Sequence, residues 1–214
     1  MMIALIRGIR NNFIRCFKGY RFILGILGII GVFILSLLDY GNEIRVIHAF
    51  VDSFRTITFL SVIMFCSLPY ASSLYEDLEN NCYRQELTRH KLGLMVLSKV
   101  IVIFSSAVMT MFIGSMIFTL LLGIRYEWGI LEYNAEYLLD ISDMIKNNQL
   151  VLYIAVTAYK VGTLYGVLAL LSTAISLFIR NKLIVYAAPA ILLHLILDIS
   201  GKFPGKPLYL EIYC

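Results

Sequence analysis

The chain has 214 residues, of which 60% are hydrophobic and 15% charged, with a formal net charge of +4. A soluble domain carries about 45–50% apolar and ~25% charged residues, so this composition excludes an ordinary water-soluble fold. Four surplus positive charges are a poor argument for nucleic acid, and the placement of the cations is what carries meaning.

Five stretches lack Asp, Glu, Lys and Arg altogether: residues 22–38, 56–75, 100–124, 161–179 and 183–197. About 20 apolar helical residues cross the ~30 Å hydrocarbon layer of a bilayer. In lipid only helices and closed barrels satisfy their own backbone groups, and continuous apolar runs favour helices over the alternation of a barrel strand. The expectation is an all-α, polytopic membrane helix bundle in one domain, residues 1–214, with spans at 22–38, 56–75, 100–124, 151–179 and 183–198.

Residues 1–20 come first. Ile3, Ile6, Ile9, Phe13 and Phe17 recur at three- and four-residue steps, with Arg7, Asn11, Arg15 and Lys18 mostly elsewhere. An apolar stripe beside a basic one predicts an amphipathic helix lying at the inner leaflet, in preference to a plain cytoplasmic extension of the first span. The first run lacks an A-x-A-like cleavage site, which predicts that it stays in the protein.

A short external stretch leads to the second run, which ends in Pro69, Ala71, Ser72 and Ser73. Proline kinks a membrane helix and frees a carbonyl that small polar residues can satisfy. Residues 76–99 then form the one sizeable internal loop. Its first half, dense in charge of both signs and free of Gly and Pro, predicts a helix. The third run ends at Gly123 and Arg125. The external loop 126–149 is acidic and aromatic, with apolar positions that predict a short helix at the outer interface. Arg180, Asn181 and Lys182 alone join the fourth and fifth runs, which predicts a tight cytoplasmic hairpin.

Eleven of the 18 Lys/Arg fall on the side of residues 1–21, the internal loop and that hairpin, against six on the other side. The positive-inside rule therefore places the N-terminus in the cytoplasm of a multi-pass cell-membrane protein, with the lipids around it. Cys16, Cys66, Cys82 and Cys214 are scattered, so no disulfide or metal cage is expected. His48, His90 and His194 fall in three regions and cannot easily share a metal.

Signatures of chemistry are missing. There is no G-x-x-x-x-G-K-[ST], H-E-x-x-H or G-x-S-x-G, so no catalytic residue, cofactor or metal site is assigned and no enzyme is expected. Lys160 lies between apolar residues, where a charge defaults to a functional hypothesis. The 19 residues from 161 onward already span a bilayer. Boundary anchoring by snorkelling is therefore favoured over a place in a cavity or subunit interface. His194 and Asp198 sit one turn apart at the outer end of the fifth run. Interfacial pairing is favoured there over a role in a pathway or proton relay. The internal loop offers Glu76, Asp77, Glu79, Arg84, Glu86 and Arg89 as exposed charges that an ATPase subunit could grip, or simply as a solvated helix.

The stretch from Ser72 through Tyr75, Glu76, Asp77, Glu79, Arg84, Glu86 and Leu87 to Arg89, followed by 92–99 and a long apolar run, resembles membrane subunits of type-2 ABC exporters. In that family an acidic residue after the second span precedes a leucine–x–arginine-like segment and a lysine opening the third span. Glu76 or Asp77, Leu87, Arg89 and Lys99 occupy those places. The basic helix before the first span is similar to the family's elbow helix, and the hairpin with Ser172 and Ser176 to its fourth and fifth spans.

The resemblance implies a permease without its own ATP site, paired with a second permease subunit and with ABC ATPase subunits that bind ATP and Mg. It makes residues 75–89 the coupling helix and the substrate a peptide, drug or lipid-like molecule. Family members have six spans, so the five found here imply a span beyond Cys214 or an external tail. A non-transport immunity or accessory protein that binds a partner in the bilayer is the alternative. A secondary transporter is disfavoured, since no inverted repeat is visible. Abundant Ile, Asn, Lys and Tyr associate with A/T-rich bacterial genomes.

Overall fold

The computed structural model describes residues 2–38, 45–54, 56–79, 92–128, 149–176, 178 and 182–202. Among these residues there are eight helices and no strand: α1 (Met2–Lys18), α2 (Tyr20–Ser36), α3 (Val46–Asp52), α4 (Thr56–Ser67), α5 (Ser73–Glu79), α6 (Leu92–Arg125), α7 (Leu150–Ser176) and α8 (Lys182–Lys202). Residues 129–148 of the loop expected to be external, residues 80–91 of the loop expected to be internal and the tail from residue 203 lie outside the described residues.

Helices α6 and α7 are long and apolar enough to cross a membrane, and α1 with α2 makes a third candidate if the pair, bent by 58°, is taken as one span. α6 has 34 residues. At 1.5 Å per residue that is about 51 Å, more than the ~30 Å hydrocarbon layer. Its buried positions include Val102, Ile103, Ser106, Ala107, Thr110 and Met111, the three- and four-residue steps of one helix face. Leu120, Leu121 and Ile124 on other faces are exposed. Large apolar side chains pointing out of the fold, also along α2, α7 and α8, need hydrocarbon rather than water around them. The molecule is a helical membrane protein.

Small residues let the long helices approach. A Cβ built on Gly162 of α7 would lie 3.3 Å from both Cα and the carbonyl oxygen of Val108 on α6, which is backbone and cannot rotate away. α2 meets α4 in the same manner: a Cβ on Gly25 would stand 2.9 Å from the Phe65 carbonyl oxygen. Between apolar helices in lipid, close van der Waals contact replaces the hydrophobic drive as the source of association.

Aromatic rings fill one end of the core. Phe33 packs on Phe54 at 5.3 Å and on Phe118 at 5.0 Å between centroids, and Phe50 on Phe54 at 5.0 Å. α3 lies in this cluster, with Val46, Ile47, Ala49 and Phe50 buried. Deeper in, buried Tyr165 of α7 donates its hydroxyl to the Phe59 carbonyl at 3.0 Å.

The run 56–75, read from the sequence as one kinked span, is two helices separated by a break at 68–72. Backbone bonds there shift to turns, Leu68 N–H to Phe65 and Ser73 N–H to Tyr70. α4, with 12 residues, is about 18 Å long. Thr173 of α7 donates to the Ala169 carbonyl of its own helix at 2.7 Å, and the same hydroxyl stands 3.4 Å from the Ala71 carbonyl at the break. The α7–α8 hairpin is tied by Ser172, whose hydroxyl donates to the Val185 carbonyl.

Candidate functional site

The break at 68–72 sets the site, because it turns α5 toward the start of α6 and the end of α1. Asp77 on α5 is buried, its side chain 2% exposed. One carboxylate oxygen accepts from Arg15 Nη1 of α1 at 3.1 Å, and the other accepts from Lys99 Nζ of α6. The Lys99 side chain is 1% exposed, against 52% for that of Arg15. A buried ammonium must be paired, since desolvating it alone costs several kcal/mol.

A second ion pair sits one residue back. Glu76 Oε1 accepts from Arg21 Nη1 of α2 at 2.6 Å, and Ser72 Oγ lies 3.0 Å from each partner. A neutral arm completes the arrangement. Tyr70 donates to the side-chain Oδ1 of Asn12 at 2.8 Å, and Asn12 Nδ2 donates to Ser98 Oγ at 3.1 Å. Burial would lower the pKa of Arg15, but the Asp77 carboxylate outweighs it and holds the guanidinium above its ordinary value. Arg21 is raised for the same reason, through Glu76. Beside them Cys16 of α1 is buried, which pushes its thiol up to about 11.

α1 presents this polar set because its inward positions include Gly8, Ile9, Asn12, Phe13, Cys16 and Phe17, spaced by three and four. Ile9, Phe13 and Phe17 of the predicted apolar stripe pack on the core, while Ile6 of that stripe is 56% exposed. The sequence reading missed Asn12 as an inward group.

The residues singled out from the sequence are only partly brought together. Glu76 and Asp77 were expected to be exposed for an ATPase to grip. Instead α1, α2 and α6 enclose them with cations, and Glu79 is the exposed acid of α5. Tyr75 lies on α5, and its side chain is outside the described residues, as are Arg84, Glu86 and Arg89 in full. Lys160 stands apart, exposed on α7, its carbonyl accepting from Thr163 Oγ1 at 2.6 Å. His194 and Asp198 of α8 approach to 3.7 Å with side chains 60% and 59% exposed. They face outward and do not line a buried path within this chain.

No group of three or more His, Cys, Asp or Glu able to hold a metal occurs among the described residues. The cluster is a set of ion pairs and side-chain hydrogen bonds. It fastens three helices, α1, α2 and α6, through one short helix. Comparison with known proteins adds no relative: no family model, no curated protein and no solved structure matches the chain.

Proposed function

We propose that this chain is the permease subunit of an ATP-driven exporter of the type-2 ABC kind, with α5 and the loop after it as the handle for a separate ATPase. In this reading the five apolar runs are spans, α1 is the interfacial elbow helix, and the N-terminus is cytoplasmic in a bacterial cell membrane. ATP and Mg belong to the ATPase subunit, and a second permease subunit completes the path for a peptide, drug or lipid-like substrate.

The observation that carries this reading is the double engagement of Asp77 by Arg15 of α1 and Lys99 of α6. A push on α5 is then a push on the elbow and on the longest span together. Charge pairs in low dielectric resist separation far better than the same pairs in water, so the linkage is stiff. Coupling therefore divides between residues that touch the ATPase, among them exposed Glu79, and buried Glu76 and Asp77, which transmit.

The test is purification of the full chain from its native membrane in mild detergent. A P-loop ATPase retained at fixed stoichiometry supports the reading. A clean preparation without an ATPase, alongside a different membrane partner, favours the immunity or accessory alternative and overturns it.

A further inference from the structure

At the bend between α1 and α2 the surface opens into a cleft of about 420 Å³ lined by Asn11, Ile14, Arg15, Lys18 and Gly19. Among the described residues its charged lining is cationic, Arg15 and Lys18. Residues 1–38 contain Arg7, Arg10, Arg15, Lys18 and Arg21 and no Asp or Glu. Arg15 gives Nη1 to Asp77 yet keeps its side chain half exposed. A guanidinium has five N–H donors, so one bond to Asp77 leaves donors for a second anion. Lys18 is exposed and supplies a mobile point charge. Gly19, at the bend with extended backbone (φ −74°, ψ 134°), adds no side chain to the cleft.

We propose that this cleft is a headgroup site for an anionic phospholipid of the leaflet that α1 lies on. Charge complementarity selects a phosphodiester with net negative charge over a zwitterion, whose choline or ethanolamine would meet the same cations. The apolar surroundings select lipid over free phosphate. Ile14 is 45% exposed within the cleft, and α2 leaves the bend with Tyr20, Ile23, Leu24 and Leu27 exposed at helical steps. A headgroup held by Arg15 and Lys18 thus has an apolar track beside it for its acyl chains, which an inorganic anion cannot use. Through Arg15 the lipid phosphate and Asp77 share one guanidinium, so occupancy of the site bears on the hold between α1 and α5. The inference rests on the membrane reading of the helices and not on the ATPase.

The test uses the purified full chain in zwitterionic detergent, titrated with short-chain phosphatidylglycerol or phosphatidylcholine, with bound lipid counted by native mass spectrometry. Phosphatidylglycerol is expected to bind the tighter. Lys18→Gln should weaken it about fivefold, the factor that one basic residue near an anionic surface supplies, Lys18→Arg should restore it, and Arg7→Gln should leave it unchanged. Arg15 is left intact because its loss also disturbs Asp77. Equal retention of the two lipids, or an equal loss from Arg7→Gln and Lys18→Gln, overturns the site, the second result marking a diffuse basic stripe. Full displacement of the lipid by millimolar inorganic phosphate overturns the lipid assignment in favour of a free anion.

Discussion

The Lys99 ammonium of α6 donates to the Asp77 carboxylate of α5 with both side chains almost completely buried, 1% and 2% exposed. Arg15 binds the same carboxylate from the solvent side. The two cations are not equivalent. Lys99 has been moved out of water and depends on Asp77, whereas Arg15 keeps solvent within reach.

That asymmetry orders a mutant series. Asp77→Asn leaves Lys99 buried without its counter-charge and should cost about 3–5 kcal/mol. Lys99→Met removes the buried ammonium and leaves Asp77 to Arg15, a smaller loss. Denaturant unfolding in micelles should rank wild type above Lys99→Met, and Lys99→Met above Asp77→Asn. The reverse order of the two variants would show that Arg15, not Lys99, is the partner that needs Asp77.

Glu76→Gln should be milder. Glu76 and Arg21 keep 16% and 32% of their side-chain surface exposed. Partial solvation puts the loss at about 1–2 kcal/mol, between that of a surface pair and a buried one. The same unfolding curves measure it, and a loss as large as that of Asp77→Asn would contradict the division between the two pairs.

Glycines on α2 give a prediction with opposite signs. An alanine at Gly25 meets the Phe65 carbonyl oxygen at 2.9 Å, and overpacking against backbone costs about 1–3 kcal/mol, more than the ~1 kcal/mol of helix propensity gained. Among the described residues Gly31 has nothing within 4 Å of such a Cβ, so Gly31→Ala should gain about 0.5–1 kcal/mol. Thermal midpoints of the two variants should fall on opposite sides of the wild type.

Cys16 reports on whether α1 stays docked. Burial raises its thiol from 9.0 to about 11. A folded value above the unfolded one means that this contribution to stability is intact below pH 9 and is lost as pH rises through 11. Below pH 9 the folded protein should hold Cys16 almost wholly as thiol and alkylate it slowly with iodoacetamide, as read by peptide mapping. Asp77→Asn should accelerate that alkylation, and an unchanged rate would mean that α1 is held without the ion pair.

Much of the architecture was legible in the sequence. The uncharged run 100–124 lies within α6, the four-residue spacing of Ile9, Phe13 and Phe17 marked the face of α1 that packs on the core, and the short link at 180–182 left α7 and α8 in contact. The break after α4 was legible only as a proline. That Pro69 interrupts the helix shows only in the turn bonds around 68–73. The ionic cluster was least legible. Charge density and the absence of Gly and Pro marked residues 75–89 as a helix with exposed charge, since acids in a loop are ordinarily solvated. What buries Asp77 is the convergence of Arg15, 62 residues earlier, and Lys99, 22 residues later. No local pattern encodes those pairings, and a lysine at the mouth of an apolar run says only that some acid must meet it.

The proposal that α5 relays force from an ATPase to α1 and α6 is tested most directly by ATP turnover and transport in the purified complex carrying Asp77→Asn. The account predicts that the ATPase still binds, because Asp77 is buried away from it, while permease-dependent stimulation of hydrolysis and substrate movement both fall sharply. A folded Asp77→Asn complex that hydrolyses ATP and transports at the wild-type rate would contradict it.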